Sequence, residues 1–546
     1  MNRHSDLAAL SDGTFDLLVV GGGITGAGVA RDAAMRGLSV ALVDAQDFAG
    51  GTSSNSSRLI HGGLRYLEHG WLRLVFEASR ERRVLLRIAP HLVRPCPFTF
   101  PAFRGARVKR WQISAAVLLY DLLALFRNAN RFRWLGRRAV LREEPNLRDA
   151  GLTGGAQYWD ALTDDSRLTL ATIRAAAAHG ATCVNYVRVI ALDKSAGRVR
   201  GAVCRDLESG ADLLVRARVI VNATGPWSDS FRRLDEPDAR PLLRLTKGAH
   251  IAVPRSRLGN RGAVTLTSPI DGRVMFVLPS GETSIVGTTD TDFDGSPGEV
   301  SVDADDVTYL LRSANAVFPA ARLQYDDVIA AWAGLRPLLA SPRASTADVP
   351  REHLISRSAG GVLSIVGGKL TTYRLMAAQV VDRVVADLHA LDGRRTIGRS
   401  ASDRVPLPGG EVRDLGTLVA EMVTEGLHET VARHLVHRYG AEAPAVARLL
   451  HEEPDLAMPI CADCPDLRAE VVYQARREYA RTVSDVLMRR THLFHTRFDQ
   501  ALPAAADVAS LLGGELGWDA ARQASAVAEY TAQVERMRRA LRPPAS

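Results

Sequence analysis

The stretch FDLLVVGGGITGAGVARDAAMRGLSVALVDAQD, residues 15–47, leaves the chain few choices of fold. A buried-strand run (Phe15 to Val20) leads into a glycine loop. A helix with apolar positions at helical spacing follows, then a second strand (Ser39 to Val43) closed by Asp44. That is the order of a βαβ unit. Gly21, Gly23 and Gly26 fill the GxGxxG positions, with Gly22 inside the loop. The first allows a tight turn, the second lets backbone approach a pyrophosphate, and the third lets helix and strand pack closely. The helix then turns its unpaired N–H groups towards the phosphates. Asp44 stands where a carboxylate accepts from ribose hydroxyls. The glycines alone are equally a bare turn; strand, loop, helix, strand and acid together predict a bound dinucleotide.

At 546 residues the chain exceeds what one hydrophobic core supports, so two or three domains are expected. Its five cysteines are too scattered for a disulfide framework, and the N-terminus lacks the layout of a signal peptide, which points to a reducing cytoplasm. Cys461 and Cys464 form a CxxC with no second pair, so no structural metal is expected. A net charge of +8 favours anionic partners without choosing among them. No aromatic-interleaved basic stripe supports nucleic acid. The basic residues are almost all Arg; the four lysines are Lys109, Lys194, Lys247 and Lys369. Two of them sit in the strings LTKGAH and GGKLTTYR, which suggests a need for a compact ammonium there.

Three further stretches stand out. VIVNATGPWSD (Val219 to Asp229) puts Ala223, Thr224 and Gly225 after a strand, a pattern that recurs in two-dinucleotide-fold flavoproteins. GGVLSIVGGKLTTYRLMAAQVVDRVV gives a strand (Val362 to Val366), the turn Gly367-Gly368 and a helix starting near Leu370. Such a helix can aim its positive end at a flavin ring. TSSNSSRLIHGGLRYLEHG, residues 52–70, is too rich in Ser and Gly for a core element, yet ends in a dense row of functional side chains.

These strings, with RLTKGAHIAVP, IVGTTDTDF, AGLRPL and YARTVSDVLMRRT in the same order, resemble the FAD-dependent glycerol-3-phosphate dehydrogenases of the aerobic, respiratory type, over about residues 15 to 500. The resemblance implies an α/β fold: a Rossmann-like FAD-binding domain of the D-amino-acid-oxidase-like type, a β-rich substrate domain and an α-helical C-terminal domain. The expected division is 1–70, 150–245 and 345–395 for the FAD domain, and 71–149 with 246–344 for the substrate domain. A linker over 396–412 and a helical domain over 413–546 complete it.

The implied reaction removes hydride from the carbinol carbon of sn-glycerol 3-phosphate to FAD, giving dihydroxyacetone phosphate, with a membrane quinone reoxidising the flavin. Arg336 is the first choice for the substrate phosphate, because a guanidinium holds two oxygens at once. Arg65 and Arg351 are weaker candidates. Lys369 is placed against substrate oxygens or reduced flavin, and Tyr66 against substrate or flavin. His61 is preferred as the base and His250 is its rival, since an imidazole titrates near neutrality. Thr52, Ser53, Ser54 and Ser57 offer hydroxyls to the FAD phosphates and ribitol; capping of the next helix is their plainer role. Gly62, Gly63, Leu370, Thr371 and Thr372 complete the expected flavin cradle.

Residues 103–138 combine nine Lys or Arg with an apolar run from Ile113 to Phe126 broken by Asp121. The run is shorter than the ~20 residues that span a bilayer. It fits either a helix lying in the lipid interface or a buried helix with a charged edge. The resemblance favours peripheral attachment to an anionic membrane surface, on the inner face of the cell membrane; a homodimer is kept among the partner states. Two other readings stay open: an oxidase that passes electrons to oxygen, and a flavin-binding membrane-docking protein without turnover.

Overall fold

The structure, a computed structural model, describes residues 3–67, 70–106, 110–125, 128–340, 353–393 and 397–542. The opening strand Thr14–Val20 lies inside an eight-stranded sheet, flanked in parallel by Val40–Val43 and by Asp212–Asn222. Thr182–Val184 and Leu363–Gly367 extend the parallel part on either side. A sheet of this kind is covered on both faces, so its strands are apolar throughout. Leu17 and Val19 enter one core with the helices Ile24–Met35 and Tyr373–Asp392. Leu18 and Val20 point the other way, into a core built with the antiparallel strands Val187–Ser195 and Arg198–Asp206.

A second sheet of ten strands carries Leu243–Pro254 between Thr283–Gly287 and Ala330–Leu339. It also contains Leu152–Thr163, paired with Val93–Phe103, and the short strand Leu59–Ile60. The expected boundaries at 70 and 150 therefore shift: Leu59–Ile60 and Leu152–Thr163 both belong to the second sheet. The cause is the long antiparallel ladder between Val93–Phe103 and Leu152–Thr163, which no local pattern in LTGGAQYWDALT announces.

Beyond residue 412 the chain is helical, from Leu415–Thr424 to Ala520–Ala540. The expected linker is not a free tether, because buried Arg31 donates to the carbonyls of Ser402 and Val405, and Leu407 is fully buried. The helical part docks through paired charges. Arg167 makes a two-pronged contact with Glu478 at 2.5 and 2.7 Å, and Arg174 makes one with Glu442 at 2.6 and 2.7 Å. Asp47 takes both Arg489 and Arg490. Glu478 is driven below the usual carboxylate range: burial opposes its charge, and the charge and hydrogen bonds of Arg167 outweigh that burial.

Removing one partner of such a pair strands the other charge. Glu478→Ala is expected to lower stability by about 3–5 kcal/mol, read as an earlier denaturant midpoint. Arg433→Ala, which breaks an exposed pair with Glu429, is expected to leave the midpoint unchanged.

Candidate functional site

Two cavities lie close together, one lined by Pro337 and the other by Arg336. The first, about 500 Å³, is the groove above the parallel strands, lined by Gly21, Gly23, Asp44, Ser53 and Thr224 on one side and by Gly367 to Leu370 on the other. Its shape comes from backbone contact. Gly21 sits at φ +108°, and a Cβ there would stand 2.6 Å from the Ala223 carbonyl oxygen; a Cβ on Gly26 would overlap the Gly21 carbonyl. The helix Ile24–Met35 opens at Gly23, which has no side chain of its own to cap it, and its N-terminal end is turned to the groove. Ser53 Oγ accepts from Ile24 N–H at 2.9 Å, which joins the Ser-rich segment to this loop. Asp44 accepts from the N–H groups of Gly22 at 2.6 Å and Gln46 at 2.7 Å. Burial pushes its carboxyl up to about 7 despite those bonds. Thr52 lines the same groove and donates to the Leu335 carbonyl.

The second cavity, about 650 Å³, has a polar end and an apolar arm. His61, Tyr66, Arg273, Asp290 and Arg336 form the polar end; Phe98, Phe100, Ile113, Ala116 and Leu119 form the arm. The wall between the two cavities is Lys369, whose Nζ stands 3.6 Å from the centre of the Tyr66 ring. Tyr66 also lies near-parallel to His61. Two strings 310 residues apart are clasped here, because His61 N–H donates to Thr371 Oγ1 at 3.1 Å and that hydroxyl donates to the His61 carbonyl at 3.2 Å.

Arg336 reaches the cavity with its fork already held: it pairs with Asp290 at 3.2 Å and donates to Thr288 Oγ1 at 2.8 Å. Gly248 across the ladder leaves room for the guanidinium, which a Cβ would displace. Lys247 is not at the site; it bridges Asp303 at 2.5 Å and Asp306 at 2.7 Å, pinning the helix Ala304–Val317. His250 is buried, stacked on Trp332, and its Nε2 lies 2.9 Å from Ser57 Oγ. Burial, then Arg336 and Arg58, push its pKa down to about 3, so it is a poor match for proton transfer near neutrality. His61 lines the cavity and has no such burial.

Several expected cradle residues have other tasks in the structure. Ser54 accepts from the Asn55 side chain, Thr372 donates to the Lys369 carbonyl, and Gly63 turns at φ +82° beneath the Tyr66 ring. Gly62 donates to Tyr120 Oη at 2.7 Å and to Asp160 at 3.2 Å. Gly225 starts a short turn of helix beside Thr224 at the groove. Arg351 and the side chain of Arg65 lie outside the described residues.

Sequence reading missed Arg273 and Asp290. Arg273 pairs with Asp290 at 2.6 Å, and Asp290 in turn orients Arg336. The only hint was a charged residue at each end of the strand pair RVMFVLPSGETSIVGTTD. It also missed Arg82, Tyr120 and Asp160, a buried cluster that holds Gly62 beside His61. Tyr120 belongs to the helix Arg110–Leu123, which buries Ile113, Val117 and Tyr120 on one face. Its other face leaves Trp111 67 %, Leu118 41 % and Leu122 51 % exposed. Leu72 and Phe76, from the helix Leu72–Ile88 that packs against it, are exposed as well. Among the described residues no helix is long and apolar enough to cross a membrane.

The glycine cradle, the helix N-terminus and the ribose-side carboxylate fit a dinucleotide such as FAD, and with the family match over residues 16–374 the class is that of an FAD-dependent oxidoreductase. The family described as FAD dependent oxidoreductase matches residues 16–374, and the C-terminal domain of alpha-glycerophosphate oxidase matches residues 400–523. Glycerol-3-phosphate dehydrogenase 2 of Mycobacterium tuberculosis is 40 % identical over 95 % of this chain and 88 % of its own. The mitochondrial glycerol-3-phosphate dehydrogenase of Macaca fascicularis is 36 % identical over 95 % and 73 %. The crystal structure of the glycerol-3-phosphate dehydrogenase from Bacillus halodurans complexed with FAD superposes with a TM-score of 0.83 at 29 % identity, covering 100 % of this chain and 98 % of that one. The chain belongs to the FAD-dependent glycerol-3-phosphate dehydrogenase family, and its fold is the FAD-binding α/β fold with a helical C-terminal domain.

Proposed function

We propose that the protein oxidises sn-glycerol 3-phosphate to dihydroxyacetone phosphate and passes the electrons to a membrane quinone. The observation that carries this reading is the second cavity, which runs from a cationic end beside the flavin groove to an apolar arm under an amphipathic helix. When bound, FAD supplies the hydride acceptor. Gly21, Gly22, Gly23 and Gly26 would cradle its pyrophosphate, Asp44 would accept from its ribose hydroxyls, and Ser53 and Thr52 would offer hydroxyls to its phosphates and ribitol.

Arg336, oriented by Asp290, holds the substrate phosphate, with Arg273 beside it and Arg65 and Arg351 as further candidates. His61 takes the proton of the carbinol hydroxyl. Lys369, seated on the Tyr66 ring between the cavities, places a positive charge where substrate oxygen and reduced flavin both carry negative charge. The apolar arm admits the quinone, whose ring needs apolar walls rather than a phosphate clamp. The exposed face of Trp111, Leu118 and Leu122 docks on an anionic lipid surface, and Arg131 and Arg138, also exposed, follow it in the chain. An oxidase passing electrons to oxygen needs the same polar end but no such arm.

Arg336→Ala is expected to raise KM strongly with FAD still bound, while His61→Ala mainly lowers kcat, by about 10²–10⁴-fold. Stopped-flow flavin reduction checks both, and wild-type reduction by His61→Ala would place the base elsewhere.

Asp44 gives a pH test. A ribose hydroxyl donates more strongly to the ionised carboxylate than to the protonated carboxyl, and burial holds this carboxyl at about 7 before FAD binds. FAD affinity of the stripped protein is therefore expected to rise as pH climbs through about 7 and to level off above it. Asp44→Asn should flatten that dependence in a fluorescence titration.

Co-sedimentation tests docking. The protein is expected to pellet with phosphatidylglycerol vesicles at low salt, and a Trp111→Ser, Leu118→Ser, Leu122→Ser triple variant to stay in the supernatant.

A further inference from the structure

Three of the five cysteines, Cys96, Cys183 and Cys204, are buried. Burial raises all three thiols, Cys96 to about 11 and Cys204 to about 12. Cys461 and Cys464 differ, being half-buried and joined by a tight turn. Cys464 N–H donates to the Cys461 carbonyl at 3.4 Å, with Asp463 in the left-handed region at φ +56°. The base of the turn is locked, since Pro459 bridges Leu467 and Ile460 N–H donates to the Asp466 carbonyl at 2.8 Å. A turn closed in this way holds the Cα atoms of its first and fourth residues within about 7 Å. A disulfide needs about 4.4–6.8 Å between its Cα atoms, so the turn brings the two cysteines into the range a bridge requires.

The sulfur atoms are arranged unequally. As a thiol, Cys464 donates to the Cys461 carbonyl at 3.1 Å; as a thiolate, it accepts from Cys461 N–H at 3.3 Å. The hydrogen bond between the two side chains raises the Cys461 thiol and lowers that of Cys464 to about 7, against burial and the Asp466 carboxylate. A metal site does not account for the pair. Among the described residues the one set suited to a metal is His434, Asp466 and Glu470, which includes neither cysteine, and Arg438 already sits on both carboxylates.

We propose that Cys461 and Cys464 form a reversible dithiol–disulfide site, with Cys464 attacking and Cys461 resolving, and with a small-molecule disulfide as the oxidant. The Cys464 thiolate attacks one sulfur of RS–SR, forming Cys464–SR and releasing one thiolate. That thiolate takes the Cys461 proton. Cys461 then attacks Cys464 Sγ, closing the internal disulfide and releasing the second thiolate. Two electrons leave the protein dithiol and reduce RS–SR to two thiols. The pair lies close to a docking contact: Asp466 binds Arg438, Arg438 donates to the Thr491 carbonyl at 3.1 Å, and the next residue, His492, binds Asp164 at 2.8 Å.

The test equilibrates the FAD-loaded protein in mixtures of reduced and oxidised glutathione, quenches in acid, alkylates in denaturant and reads the cysteine peptides by mass spectrometry. Cys461 and Cys464 are expected to lose alkylation together, as one internal disulfide that dithiothreitol reverses, while Cys96, Cys183 and Cys204 stay alkylatable. Cys461→Ser should accumulate glutathione on Cys464, and Cys464→Ser should leave Cys461 alkylatable. A wild-type protein that keeps both thiols, or that carries glutathione without closing the bridge, overturns the proposal. The wild-type titration decides whether or not the serine variants fold.

Discussion

The contact of Gly26 with the Gly21 carbonyl is the constraint on which the rest of the molecule depends. It brings the helix Ile24–Met35 against the strand Thr14–Val20 so closely that no side chain fits between them, and Gly21 in turn meets the backbone at Ala223. Three segments more than 200 residues apart at their extremes are thereby fixed around one groove, with a helix N-terminus turned to it. The second sheet is hung on that frame through the Ser-rich segment. Ser53 holds the glycine loop, the short strand Leu59–Ile60 enters the other sheet, and the His61–Thr371 clasp closes the far wall. A base candidate and a cationic wall residue are thus placed by backbone and hydroxyl bonds together with the contacts of both side chains to the Tyr66 ring.

The amphipathic helix is tied to the same segment. Tyr120 on its buried face bonds Gly62, the residue after His61, and is itself held by Arg82 and Asp160. The apolar arm of the cavity passes between this helix and the sheet. One helix therefore presents an apolar face outward, walls the cavity inward and braces the loop that carries His61. That economy makes lipid docking and acceptor access parts of one arrangement in the proposed function.

What the sequence announced and what it hid follow from the range of the interactions. The βαβ unit was legible because strand, glycine loop, helix and acid are adjacent in the chain, and because buried parallel strands are apolar on both faces. The convergence of LIHGGLRY, AGLRPL and GGKLTTYR came from the family resemblance, since nothing local relates residues so far apart. The pairing of Leu152–Thr163 with the second sheet and the burial of Arg31 against 402–405 were hidden for the same reason. The ammonium of Lys247 serves two carboxylates, Asp303 and Asp306, a pairing that its string does not announce. The depth of His250, and with it the fall in its basicity, is a property of the packed sheet and of Arg336 and Arg58 rather than of the string TKGAH.

The central claim is that glycerol 3-phosphate delivers electrons to the flavin and that a quinone collects them through the apolar arm. Anaerobic mixing of the FAD-loaded protein with sn-glycerol 3-phosphate, followed by a short-chain quinone or by air, tests both halves in one trace. The account predicts bleaching of the flavin absorbance on mixing, rapid recovery with the quinone and slow recovery in air. Absence of bleaching would contradict the substrate, and recovery in air as fast as with the quinone would contradict the acceptor.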